Sequence, residues 1–346
     1  MKKLNLIFTL DYEIHGNGDG SPYDLMIEPT YRLLDLLEKY NAKLTIMADV
    51  AEILCFKEYY EKNGTDLFAY ERIVVQLQDA IKRGHDVQLH IHSSYFKARF
   101  DGKSWGQYWP EYNMASLQYE RIHEMIKVSK CFLEDILKPI KSDYSCFAFR
   151  AANWSMMPTP NIYKALVENG ILLDTSVYKG GRQKGNVDYD YSTAHSHLYS
   201  YRASESDINK PDENGLLTEF PIYTEMRYFW SFLTPVRVFR MVRARFHKHQ
   251  SNPDVSMTKE DSKGFFWQSF FKKSPWKLDF NQASGKQLIN ALKRIRKQTR
   301  KESSTINIVL IGHSKTFISY NEKTLEKFLY WTNKQNDISS STFIKQ

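Results

Sequence analysis

Twice in its first hundred residues the chain runs through a short apolar stretch and leaves it on two polar residues spaced two apart. Leu4–Leu10 ends in Asp11-Tyr12-Glu13, and Val87–Ile91 carries His90 and His92 at its end. An apolar run of this length bounded by turn residues reads as a buried strand, and a strand's side chains repeat with a period of two. Asp11 and Glu13 therefore share a face, as do His90 and His92. Two carboxylates and two imidazoles at the tips of neighbouring strands form a donor set for a divalent metal.

The segments between and beyond these runs alternate. After a Gly- and Asp-rich loop at Gly16–Gly20, Pro29 opens an amphipathic helix to Tyr40 carrying Leu33, Leu34, Leu36 and Leu37. Lys43–Ala48 reads as a strand. A helix follows over Tyr70–Arg83 with Gly84 as a left-handed stop, then the strand Val87–Ile91 and a long helix, Ser116–Leu137. A strand over Ser145–Phe149, a helix over Asn161–Asn169 and a short strand at Ile171–Leu173 complete the first half. Strand–helix alternation of this kind implies an α/β fold with a mostly parallel sheet, open or closed into a barrel. In either form functional groups collect at the carboxyl ends of the strands. Asp11, Glu13, His90, His92, Arg150 and Asp174 all fall at or just past such ends.

From about Lys179 to Ser284 the pattern loosens into a stretch rich in Tyr, Phe, Trp, Arg and Lys. It reads as an insertion within one domain of 1–346, returning to the core near Glu219–Ile222 and covering or extending a groove. A helix at Gly285–Lys297 and an apolar strand at Ile306–Ile311 restore the regular order, and that strand ends in Gly312-His313-Ser314-Lys315. After Ser319 comes a last helix, then a polar tail, Ser339–Gln346, expected to fray.

Composition narrows the class. The chain has 346 residues, 42% hydrophobic and 25% charged, as in ordinary globular proteins, with 14% aromatic residues and a formal charge of +8. The aromatics suit either sugar-stacking surfaces or a plain aromatic core. The positive excess gathers at Arg237–Lys248 and Lys293–Lys301. The first alternates Arg with large apolar residues, as a segment lying on an anionic membrane does; the alternative is a pair of solvated helix faces. No recognition motif accompanies the charge, which argues against nucleic acid. Cys55, Cys131 and Cys146 are too few and too widely spaced for a disulfide framework, and suggest reduced thiols. The N-terminus reads as a strand, not a signal peptide, and no run is long enough to span a membrane. The expected location is therefore cytoplasmic, peripheral to the inner face of the membrane if the basic segment binds there.

The segments that carry the polar pairs resemble the polysaccharide deacetylase family, the NodB-homology type. Thr9-Leu10-Asp11-Tyr12 stands where that family has Thr-Phe-Asp-Asp, and Gly84–His92 where it has a Gly-His-Glu-like entry and a His-rich strand end. Phe149-Arg150-Ala151-Ala152 matches its Phe-Arg-x-Pro, and Leu310-Ile311-Gly312-His313 its closing Leu-x-His. The resemblance covers about residues 4–178 and 306–315. It implies a distorted (β/α) barrel that removes acetyl groups from amino sugars with a bound divalent metal, usually zinc. This chain departs from the pattern in three places. Tyr12 replaces the usual metal-binding Asp, Ser94 stands at the usual second histidine position, and Ala152 replaces Pro. It looks like a divergent Asp-x-Glu, His-x-His branch.

On that resemblance Glu13, His90 and His92 hold the metal and Asp11 is the base. Arg150 pairs with Asp11, and His313 protonates the departing amine. Asp174 orients a ligand or His313, and Trp154 walls the sugar site. Each has a plainer reading, among them a loop cap for Asp11, a solvated carboxylate for Glu13, core or surface histidines for His90 and His92, a salt bridge for Arg150 and core packing for Trp154. The expected substrate is an acetylated amino-sugar glycan or its nucleotide- or lipid-linked, hence phosphate-bearing, precursor. Two other readings stay open: hydrolysis of a small cyclic amide or ureide on the same fold, and a non-catalytic glycan-binding protein.

Overall fold

The computed structural model describes residues 3–232 and 272–344. The basic segment Arg237–Lys248 and much of the expected insertion lie outside them.

The first strand, β1 (Leu4–Tyr12), is almost wholly apolar and buried along its length. Such a strand has no solvent face, as expected for one with helices against its outer face and the packed barrel interior against the other. It pairs in parallel with β2 (Leu44–Asp49), and the sheet continues through β3 (Asp86–Ile91), β4 (Ala148–Ala151) and β5 (Leu173–Asp174). On the far side of β5 lies β7 (Thr218–Glu219), edged by the antiparallel β6 (Tyr201–Arg202). On the other side of β1 lies β8 (Ile306–His313). The order is thus β6-β7-β5-β4-β3-β2-β1-β8. Past β7 the chain crosses to the opposite edge: Ile222 N–H donates to Val177 O at 2.9 Å, and Tyr223 N–H to Val309 O of β8 at 3.2 Å. A second stretch flanks β8 further along, where Phe280 N–H donates to Ile311 O and Ile311 N–H to Leu278 O. These contacts curl the sheet into a distorted (β/α) barrel.

The helices α1 (Glu28–Lys39), α3 (Tyr70–Lys82), α4 (Tyr119–Leu137) and α5 (Thr159–Glu168) lie where their periodicity places them. So do α6 (Gly285–Gln298) and α7 (Ser319–Asn333). One further helix, α2 (Val50–Asn63), follows β2 with no intervening loop. The sequence gives it no clean apolar stripe, because it buries Val50, Ala51, Glu52, Ile53, Cys55 and Phe56 on more than one side.

The expected strand at Ser145–Phe149 is shifted. It spans Ala148–Ala151, so Arg150 lies within it. The expected frayed tail is also corrected: β9 (Ile338–Ser340) pairs in parallel with Leu4–Leu6. The pairing of β2 with β1 begins only at Phe8, so the lower part of that edge needs another partner for its backbone groups. Beyond β9, Phe343 is buried against Phe220. The cysteines are free, with Cys55 and Cys146 buried.

Candidate metal and acid–base site

Register places the key side chains. Asp11 pairs with His313 across β1 and β8. Asp49 of β2 pairs with His90 of β3, which pairs with Arg150 of β4. Five parallel strands thus bring side chains at their carboxyl ends into one buried cluster.

On one side of it stands an acid–base group. Arg150 is fully buried, and its Nη1 donates to Asp11 Oδ1 at 2.6 Å. Its remaining donors reach Thr9 Oγ1 at 2.8 Å and Thr175 O at 3.0 Å, which fixes the guanidinium plane. His313 Nε2 lies 3.4 Å from Asp11 Oδ2. Burial opposes the charge of Asp11, but Arg150 and then His313 outweigh it and hold the carboxyl below its usual range. Burial lowers the pKa of His313, so its imidazole tends toward the neutral form.

On the other side, Glu13 Oε2 lies 3.5 Å from His90 Nε2 and 3.2 Å from His92 Nδ1. One ligand atom from each of Glu13, His90 and His92 lies within 4.8 Å of the others. His90 Nδ1 is 2.8 Å from Arg150 O, so it donates there and leaves Nε2 as the lone-pair nitrogen. His92 is held by Asp49, which accepts from the His92 backbone N–H at 3.0 Å and from Nδ1 at 2.8 Å. Imidazoles fixed through one nitrogen by a carbonyl or carboxylate are characteristic of metal sites. Two imidazoles and one carboxylate are also the protein ligands of a common catalytic zinc type. The residues fit a divalent ion.

Lys315 and Asp49 complete the charge pattern, and neither is assigned a role from sequence. Lys315 Nζ lies 2.6 Å from Glu13 Oε1, leaving Oε2 to face the imidazoles. Burial opposes the charge of Glu13, but Lys315, then His92 and His90, bring its pKa well below the usual value. The pKa of His92 is raised: burial works against its charge, and Glu13 and Asp49 overcome it. Glu52, buried beside Asp49, goes the other way through burial and accepts from Ile14 N–H at 3.0 Å. Both missed residues had a signal. Asp49 is the last residue of a strand, and Lys315 follows His313 at the same two-residue spacing that links Asp11 to Glu13.

The other singled-out positions are also placed. Asp174 is buried and bonds Ser176, whose hydroxyl donates to it at 2.7 Å and accepts from Ala151 N–H at 2.8 Å. It thus braces the end of β4 behind Arg150; among the described residues it has no hydrogen bond to His313. The buried acid whose field reaches His313, beyond Asp11 and Glu13, is Asp279, whose Oδ2 has no hydrogen-bond partner among the described residues. Trp154 stands beside His313 with ring centroids 6.1 Å apart, and both Trp154 and the preceding Asn153 are in the left-handed backbone region. Two successive non-glycine residues there cost conformational energy that the surrounding packing must supply.

Tyr12 points away from the site, as the strand period requires, and donates to Gln76 at 2.8 Å. His85 ties β2 to α1 by accepting from Leu44 N–H, with its pKa lowered to about 4 by burial. Gly312 is required by close packing: a Cβ there would lie 2.1 Å from the Phe280 ring and 2.4 Å from Asn281 Oδ1.

No known family's sequence profile matches the chain, and no curated protein matches it. Solved structures do. One is a protein designated a polysaccharide deacetylase from Mycobacterium smegmatis, at TM-score 0.50 and 15% identity, covering 99% of this chain and 87% of that one. Another is a 4-alpha-glucanotransferase from Thermococcus litoralis, at TM-score 0.51 and 14% identity, covering 99% of this chain and 40% of that one. The fold is therefore a distorted (β/α) barrel shared with both of these proteins. The likeness extends over nearly the whole chain and to the fold of a protein designated a polysaccharide deacetylase.

Proposed function

We propose that the protein is a metal-dependent carbohydrate deacetylase that hydrolyses the acetamide of an amino sugar. The observation that carries this reading is the convergence of two groups of side chains into one buried cluster. One is the Asp11–Arg150–His313 acid–base group, and the other is the Glu13–His90–His92 donor set. Glu13, His90 and His92 would hold a divalent ion, which when bound would lower the pKa of a water and polarise the acetyl carbonyl. Asp11, kept ionised by Arg150, accepts a proton from the attacking water at Oδ2. His313 Nε2, 3.4 Å from that oxygen, takes the proton on and gives it to the leaving amine. Arg150 cannot itself take up a proton, so it serves to hold Asp11 in one orientation. Trp154 offers an apolar face to the sugar ring.

The substrate class proposed is the acetylated glycan or its phosphate-linked precursor, with zinc as the native metal. Among the described residues no helix is long and apolar enough to cross a membrane. Contact with an anionic membrane through the basic segment near residue 240, and a cytoplasmic location, belong to the same proposal.

The test is acetate release from a panel of N-acetylated sugars and sugar nucleotides, with ring opening of cyclic ureides followed in parallel, by zinc-loaded protein. Release from the sugars, lost on chelation and in Asp11→Asn, is the expected result. Turnover of the ureides alone, or activity indifferent to both perturbations, refutes it.

A further inference from the structure

Beyond Trp154 lies a second concavity that the proposed chemistry does not use. It is a cleft of about 800 Å³ between the Tyr178–Arg182 turn, the hairpin formed by Thr224–Tyr228 and Lys273–Lys277, and the outer face of α6. Among the described residues five cations line it, namely Lys179, Arg182, Lys272, Lys273 and Arg294, against one acid, Glu225. Some of that charge is already balanced. Arg182 pairs with Asp190 at 3.1 Å, and Arg294 Nε donates to Glu225 at 2.9 Å. Glu225 is also shared with Arg227, so it cannot neutralise both arginines. Among the described residues the contacts of the Lys179 and Lys273 ammonium groups are weak, a 3.4 Å approach to His195 O and a 5.1 Å approach to the Tyr228 ring. A concave surface with excess positive charge concentrates anions, and a cleft does so more than a convex face.

The cleft is joined to the candidate active site by an aromatic partition. Tyr178 lines the cleft and packs on Trp154 at 5.7 Å between centroids. Trp154 in turn stands beside His313. The Lys277 ammonium sits over both rings, 3.3 Å from Trp154 and 4.4 Å from Tyr178. A sugar against Trp154 would carry its next substituent past Tyr178 into the cationic cleft.

From this we infer that the cleft binds the phosphate groups of a sugar diphosphate ester, so that the substrate is recognised through its anionic carrier as well as its sugar. The link to turnover rests on the deacetylase reading; the anion site does not. The carrier is a nucleoside or a polyprenyl lipid, which share the diphosphate.

The test has two levels. Calorimetric titration with inorganic pyrophosphate should show binding that weakens with salt. It should fall about tenfold in Lys273→Gln and again in Lys273→Gln/Lys179→Gln, each change removing a charge-assisted hydrogen bond. Lys297→Gln, on α6 but outside the cleft, should bind as wild type does. Arg294→Gln is a third variant, read only where its unfolding midpoint matches wild type. No pyrophosphate binding, or binding indifferent to the cleft variants, overturns the inference. Asp11→Asn should bind pyrophosphate normally, so loss of deacetylation with intact anion binding would discard the catalytic reading and keep the cleft. For turnover, Lys273→Gln should raise KM without changing kcat on a uridine-diphosphate N-acetylhexosamine or on vesicles carrying a polyprenyl-diphosphate N-acetylhexosamine. The substrate that shows the change identifies the carrier, and a change on neither overturns the link to the substrate.

Discussion

Lys315→Met separates the charge balance of Glu13 from its ability to bind metal. The Lys315 ammonium lies 2.6 Å from Glu13 Oε1, and the Glu13 side chain is nearly fully buried. At an effective dielectric of ~20 the gross attraction at that distance is about 6 kcal/mol. His92, whose pKa is raised by Glu13 and Asp49, remains beside Glu13, so the net loss in metal-free protein is expected at ~3 kcal/mol, the low end for breaking a buried pair. For a chain of 346 residues the unfolding entropy is about 0.7 kcal/mol per degree, so the midpoint should fall by about 4 °C.

Metal reverses the comparison. In wild type the ion and Lys315 share one carboxylate, whereas in the variant the ion replaces the missing charge. By linkage the stability lost without metal returns as metal affinity, at least tenfold, or about 1.4 kcal/mol. The assay is scanning calorimetry of metal-free and zinc-saturated protein, with zinc affinity measured by competition against a chelator. The metal-induced rise in midpoint should be larger in Lys315→Met than in wild type, while Lys315→Arg should stay close to wild type. An equal or smaller rise in Lys315→Met would refute the reasoning, because Lys315 would then support the metal site instead of balancing it.

Arg150→Met should unfold at least ~3 kcal/mol more easily, since it strands a buried carboxylate. Asp11→Asn/Arg150→Met should recover most of that stability and none of the activity, and additive losses in denaturant melts would exclude the coupling. Gly312→Ala should cost roughly 1–3 kcal/mol or more by forcing the Phe280 ring and Asn281 apart, seen as a lower urea midpoint at unchanged slope. Asp86 has its pKa raised to about 7, chiefly by burial. Raised above its unfolded value, it contributes stability that is full below pH ~4 and lost as pH rises through 7. The side chain is partly open to solvent, so Asp86→Asn should gain only about 1–2 kcal/mol relative to wild type between pH 5 and 8, after discounting for screening. Urea melts at the two pH values check it, and an unchanged difference between the proteins would contradict it.

Much of this was legible before any coordinates. Strand–helix alternation gave the parallel sheet, and the two-residue period put Asp11 with Glu13 and His90 with His92. Local pattern was blind where an element lacked one. Helix α2 buries more than one face and follows β2 without a loop, so nothing in its periodicity marks it. The tail strand β9 is polar, with Ser339 and Ser340, and is ordered only because β2 leaves the lower edge of β1 unpaired. The same limit applies to the site. Lys315 and Asp49 carry sequence signals of position, but their meaning lies in contacts made 302 and 43 residues away along the chain.

The sequence by itself determined which faces are apolar and which residues stand at strand ends, because those follow from periods of two and 3.6 that any chain of this composition obeys. Which ends meet was decided by register alone: Asp11 beside His313, and Asp49, His90 and Arg150 in one row. So was the charge state of each group, since ionisation in a buried pocket depends on the neighbours that the fold brings within a few ångströms. The order of residues along the chain does not encode those distances.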